Sequence, residues 1–186
     1  MKHFLFIFIL VSNFIFSAML KPSNGALLNY RHILFEWEQF IGESSILTAT
    51  SYNIQVDDNS NFSSPIISTN NESLIYILNH SINWNTTYYW RIQPVFSDDS
   101  IGPWENPFYF TTGSQVSNAY ALNYSPSEYS EGITIFSSFF NYFSAALDQN
   151  GNEIWNTGND DIVYYNTDYF GQLFGCHLDF SLQNYL

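Results

Sequence analysis

Short apolar alternations recur along residues 21–113 and set the pattern of the chain. In Ile33-Leu34-Phe35-Glu36-Trp37, the residues Ile33, Phe35 and Trp37 share one face. Ser51–Val56 sets Tyr52, Ile54 and Val56 against Asn53 and Gln55. Thr87–Val95 repeats the alternation with Tyr88, Trp90 and Ile92 on one side and Tyr89, Arg91 and Gln93 on the other. Period-two patterning is the signature of strands with one buried face. Further strands are expected in KPSNGALL after the turn residues Pro22, Asn24 and Gly25, at Phe62–Thr69, at Ser73–Leu78 and at Pro107–Thr112. Pro65 marks Phe62–Thr69 as an edge strand, where a missing N–H does no harm. Asp57–Asn61 reads as a turn and residues 42–50 as a loop. Seven short strands separated by turn signals predict an antiparallel β-sandwich. No stretch carries a comparable helical period.

Two segments break this rhythm. Residues 1–20 begin with Lys2 and His3, continue through an apolar run from Phe4 to Phe16, and end near the small residues Ser17 and Ala18. That is the layout of a secretion signal, and the run is short for a membrane span, which needs about 20 apolar residues. An uncleaved anchor is the alternative. Residues 114–130 are rich in Ser, Asn, Tyr and Pro and read as a linker.

Beyond the linker, residues 131–186 are β-rich again. Strands are expected at Ile133–Phe136, Tyr142–Asp148, Glu153–Trp155, Ile162–Asn166 and Leu173–Leu178. Gln149–Asn152 forms a hairpin turn, its Asn-Gly pair suited to positive φ.

Composition narrows the function. The 4 basic residues against 17 acidic ones give a net charge of −13, and after residue 20 only Lys21, Arg31 and Arg91 are cationic. No basic patch can be built, so nucleic acid is excluded as a partner. The single cysteine, Cys176, rules out an intrachain disulfide and a Cys-based zinc site. With 20% aromatic residues the core must do the stabilising.

Ile82-x-Trp84-x-Thr86-x-Tyr88-x-x-x-Ile92, Trp37 in FEWE, and Trp104 followed by Phe108-Tyr109-Phe110-Thr111-Thr112 are the residues that carry a resemblance. Residues 22–112 resemble a fibronectin type III domain of the kind found in secreted bacterial proteins. The resemblance implies structural roles for Trp37, Tyr88, Trp90, Ile92 and Trp104. Tyr88 falls on the tyrosine-corner position, where the hydroxyl bonds to backbone a few residues upstream. Trp84 replaces the usual proline. EGITIF and YFSAALDQNGNEIWNTG are similar to the start of the β-propeller in arylsulfotransferase-like proteins. On that resemblance residues 131–186 are an incomplete propeller, since four or more blades of 40–50 residues are needed. No residue matches that family's catalytic histidine or arginine.

Candidate chemistry is thin. His177 and Asp179 share a strand face beside Cys176 but have no third group. Residues 114–186 hold no Arg or Lys to stabilise a transferring sulfate. Asp57-x-Asn59-x-Asn61 and Asp148-x-Asn150-x-Asn152 begin like calcium loops, but the sixth positions are Phe62 and Glu153 and the twelfth Ser68 and Asn159. Asx turns explain both. Asp98-Asp99 and Asp160-Asp161 are solvated loop tips. Trp84, Tyr89, Trp104 and Tyr109 form a candidate aromatic stripe for stacking on sugars.

The resulting expectation is an all-β, secreted, extracellular or periplasmic module, non-catalytic, with no cofactor and no metal. It acts as a spacer or docking unit at the head of a larger protein, meeting a protein or glycan at the cell surface. Membrane attachment follows only if the leader stays uncleaved. The alternatives are the N-terminal fragment of an arylsulfotransferase-like enzyme and a carbohydrate-binding module.

Overall fold

The structure is a computed structural model that describes residues 18–40, 48–79, 82–120 and 132–178. Residues 1–17 of the expected 1–20 leader, Asp179 and much of the expected linker lie outside the described residues. Thirteen strands and no helix are described: β1 (Met19–Lys21), β2 (Ala26–Leu28), β3 (Ile33–Trp37), β4 (Ala49–Asp57), β5 (Ile67–Asn71), β6 (Ile75–Leu78), β7 (Thr87–Phe96), β8 (Phe108–Thr112), β9 (Thr134–Ser138), β10 (Phe143–Leu147), β11 (Glu153–Asn156), β12 (Ile162–Thr167) and β13 (Leu173–His177).

The first eight strands make a sandwich. One sheet has the order β1-β3-β6 and the other β2-β8-β7-β4-β5. All pairings are antiparallel except β2 with β8, which is parallel. The chain changes sheets between β1 and β2, at the cis peptide bond preceding Pro22. The alternating residues meet between the sheets: Ile33, Phe35 and Trp37 from one, and Tyr52, Ile54, Val56, Tyr88, Trp90, Ile92 and Phe110 from the other, all buried. Their rings pack edge-on or offset, Phe35 5.0 Å from Trp90, Trp37 5.5 Å from Tyr52 and Tyr88 5.6 Å from Phe110. These geometries suit aromatic quadrupoles and add to the gain from burial.

Two boundaries differ from the sequence expectation. Met19 and Leu20, counted with the leader, form β1. Met19 pairs with Trp37 and is buried in the core, which an apolar leader ending at residue 20 disguises. The edge strand begins at Ile67 instead of Phe62. Residues 57–64 are a chain of Asx turns in which Asp57 Oδ1 accepts from Asn59 N, Asn59 Oδ1 from Asn61 N and Asn61 Oδ1 from Ser63 N. Those amides are committed to side chains and cannot join a ladder. Phe62 sits among them at φ 53°.

The remaining strands form a three-stranded meander, β11-β10-β9, and a hairpin, β12-β13. The expected Asn-Gly turn joins β10 to β11, with Gly151 at φ 82°. β10 is small-sided and buried on both faces (Ser144, Ala145, Ala146, Leu147). Ser144 has no exposed surface; its hydroxyl donates to Ile162 O and accepts from Tyr164 N, both at 2.7 Å. One side chain thus ties the meander to the hairpin. Among the described residues these strands close into no barrel or propeller.

Candidate functional site

Two surfaces gather the residues that carry chemistry: a buried seam between the sandwich and the second unit, and the outer face of the five-stranded sheet.

The seam is a strand pairing. Asn29–Arg31, just past β2, lies antiparallel to β11, with Tyr30 opposite Trp155. Arg31 N donates to Ile154 O at 2.9 Å, and Asn156 N donates to Asn29 O at 2.9 Å. Side chains close over it. The Arg31 guanidinium donates through Nε to Ile82 O and through Nη1 to Glu153 O at 3.3 Å. Burial lowers the Arg31 pKa, while the neighbouring Tyr88, Asp148 and Glu153 act in the opposite direction. Trp84 Nε1 donates to the same Glu153 carbonyl at 3.2 Å.

Glu153 is 2% exposed. Its carboxyl oxygens accept from Val116 N (3.1 Å), Ser117 N (2.9 Å) and Asn156 Nδ2 (2.7 Å). Asn156 Nδ2 also reaches Ser114 O at 2.9 Å. The first residues of the expected linker are therefore bonded in place. A buried carboxyl survives only with such donors around it. Gly158, at φ 63°, follows where a Cβ would run into the Asn29 amide. A cleft of about 310 Å³ opens beside the seam between Asn29, Asn85, Ser114 and Asn159.

The outer face of the five-stranded sheet is polar and ordered. Asn70 Nδ2 donates to Asn53 Oδ1 (3.0 Å), Asn53 Nδ2 to Gln93 Oε1 (3.1 Å) and Gln93 Nε2 to Gly102 O (2.9 Å), a relay across β5, β4 and β7. In the next row Arg91 donates twice to Gln55 Oε1, at 3.0 and 2.7 Å, and Gln55 Nε2 donates to Ser68 Oγ at 3.3 Å. The Arg91 guanidinium lies between two rings, 4.0 Å from Phe62 and 4.4 Å from Trp104. Trp104 walls a second cleft of about 360 Å³ with Asn53, Ser68, Thr69 and Asn70.

Of the four aromatics of the expected stripe, Tyr89, Tyr109 and Trp104 stay with the outer face and Trp84 leaves it. Trp84 belongs to the seam. Trp104 stacks on Arg91. Tyr89 and Tyr109 face outward from adjacent strands with rings 6.2 Å apart. The corner tyrosine is buried, and Tyr88 Oη accepts from Asn83 N at 2.9 Å, five residues upstream.

The remaining candidates stand apart from both surfaces. Cys176 and His177 are exposed on β13. Asp98 Oδ1 accepts from the Ser100 hydroxyl and amide, which lower its pKa, on a loop tip. Asp160 N donates to Thr157 O in a turn. In the β10–β11 turn, Asp148 takes Asn150 N and Asn152 N on Oδ1, both at 2.8 Å, and Asn152 Nδ2 on Oδ2 at 2.9 Å. Burial works to raise the Asp148 pKa. The donations from Asn152 and Asn150, with the charge of Arg31, outweigh it and hold the carboxyl below its usual range. Among the described residues no three His, Cys, Asp or Glu side chains converge to hold a metal ion. The seam was missed in sequence because Arg31, Glu153 and Asn156 read as ordinary surface polar residues.

No family model matches the chain, and no curated protein matches it. Among solved structures, it is similar to part of an alpha-L-rhamnosidase from Dictyoglumus thermophilum, at 13% identity and a TM-score of 0.43, over 67% of this chain and 15% of that one. It is similar also to part of a Streptomyces avermitilis alpha-L-rhamnosidase complexed with L-rhamnose, at 15% identity and a TM-score of 0.40, over 68% of this chain and 12% of that one. The chain thus spans less than a sixth of the length of either enzyme.

Proposed function

We propose that the chain is a non-catalytic, secreted module of fibronectin type III character that spaces and orients what it is joined to. The observation that carries this reading is the seam. A spacer transmits orientation only if its parts do not swivel, and interfaces within a chain are mobile by default unless they are large or tightly bonded. Here a strand pairing, a half-buried arginine and a buried carboxyl bridge the sandwich to the second unit. The leader-like N-terminal segment, residues 1–20 as read from the sequence, supplies the route out of the cell on this reading, and the scarcity of cations fits an extracellular surface protein that stays off nucleic acid.

Residual dipolar couplings on the full chain test the proposal. One alignment tensor fitting amides of both β7 and β10 is the expected result. Two independent tensors would mean a flexible tether and would end the spacer reading.

A further inference from the structure

We infer that the cleft walled by Trp104 on the outer face of the five-stranded sheet binds a neutral oligosaccharide. This rests on the chemistry of the cleft and not on the spacer reading.

The cleft of about 360 Å³ falls within the range of roughly 300–1,000 Å³ usual for small-molecule sites. Its lining residues are Trp104, Asn53, Asn70, Ser68 and Thr69, none of them charged. The relay from Asn70 through Asn53 to Gln93 fixes which end of each amide faces which neighbour. Asn70 spends its Nδ2 donors on Ser51 Oγ (3.1 Å) and Asn53 Oδ1 (3.0 Å), which leaves Asn70 Oδ1 as an acceptor. Ser68 Oγ takes Gln55 Nε2 and keeps its own proton to give. A ligand here must donate and accept at adjacent points, which is what a row of sugar hydroxyls does.

The indole supplies the apolar part. Trp104 is set against the Arg91 guanidinium, itself gripped by Phe62 and by two hydrogen bonds to Gln55. A wall fixed in advance loses little entropy when a ligand arrives. The same stacking covers the cation nearest the cleft, and the chain carries a net charge of −13. Both features disfavour an anionic ligand and leave the uncharged C–H faces of a neutral sugar as the match for the ring.

The test is a calorimetric titration of the full chain with neutral hexasaccharides of glucose, mannose and galactose, beside a hexagalacturonate as the anionic counterpart. At least one neutral sugar should bind, and Trp104→Ala and Asn70→Ala should each weaken it tenfold or more. Tyr109→Phe, away from the cleft, should leave binding unchanged. Asn70→Ala keeps the Arg91 stack intact, so its loss of binding separates a ligand contact from a folding defect. Amide shifts on titration should centre on Asn53, Ser68 and Asn70. Absence of binding to all three neutral sugars would overturn the inference. So would hexagalacturonate as the tightest ligand, or binding that survives both substitutions.

Discussion

Tyr88 and Tyr89 are neighbours with opposite duties, and the contrast fixes what each substitution costs. The Tyr88 hydroxyl accepts from Asn83 N at the sandwich corner, whereas Tyr89 points outward beside Tyr109. Tyr88→Phe strands that amide and should destabilise the sandwich by about 1–3 kcal/mol. Tyr89→Phe should cost little. Denaturant melts of the two variants decide it, and equal midpoints would contradict the corner. Asp148 gives a pH-dependent companion. Its pKa is depressed in the folded chain, so its stabilising contribution is complete above the unfolded carboxyl value near 3.9 and is lost as pH falls through the folded value. Asp148→Asn should therefore be less stable than the parent at neutral pH, with the gap closing below about pH 4. A gap constant from pH 7 to pH 3 would refute the assignment.

Strands were legible where large side chains alternate. β7 is the clearest case: Tyr88, Trp90 and Ile92 face in, Tyr89, Arg91 and Gln93 face out, and burial follows the same beat. Legibility failed where another force used the same residues. Met19 and Leu20 continue the apolar composition of the segment before them, so composition hides where β1 begins. Phe62 and Ile66 look like strand residues, but the Asx side chains before them capture the backbone amides that a ladder needs. β1 carries its own prediction. Met19 packs in the core, so if the N-terminal segment is a secretion signal, processing that spares the fold cuts at or before the Ala18–Met19 bond. Intact-mass analysis of the exported protein should find an N-terminus at or before Met19. An N-terminus at Pro22 in a folded, exported protein would show that β1 is dispensable.

At the scale of the whole molecule a polar network joins the two β-rich parts. That network was invisible in sequence: Arg31 and Glu153 are 122 positions apart, and each taken alone is a residue type usually found at the surface. Trp84 leaves the expected aromatic stripe for a related reason. Trp84 looked like a sugar platform until Glu153 supplied its indole with an acceptor. Removing the Glu153 side chain leaves Val116 N and Ser117 N without their acceptor and frees one Asn156 donor. Glu153→Ala should destabilise the junction by on the order of 3 kcal/mol. It should leave the sandwich core folded, with near-ultraviolet circular dichroism from Trp37 and Trp90 little changed.

Native-state hydrogen exchange at two backbone amides tests the junction most directly, those of Arg31 and Asn156, which cross between the parts to Ile154 O and Asn29 O. Both should be strongly protected in the parent chain, and both should lose protection together in Glu153→Ala while the Ile92 amide keeps its own. Exchange of Arg31 and Asn156 at unprotected rates in the parent chain, beside a protected Ile92, would contradict the claim that the second unit is locked to the sandwich.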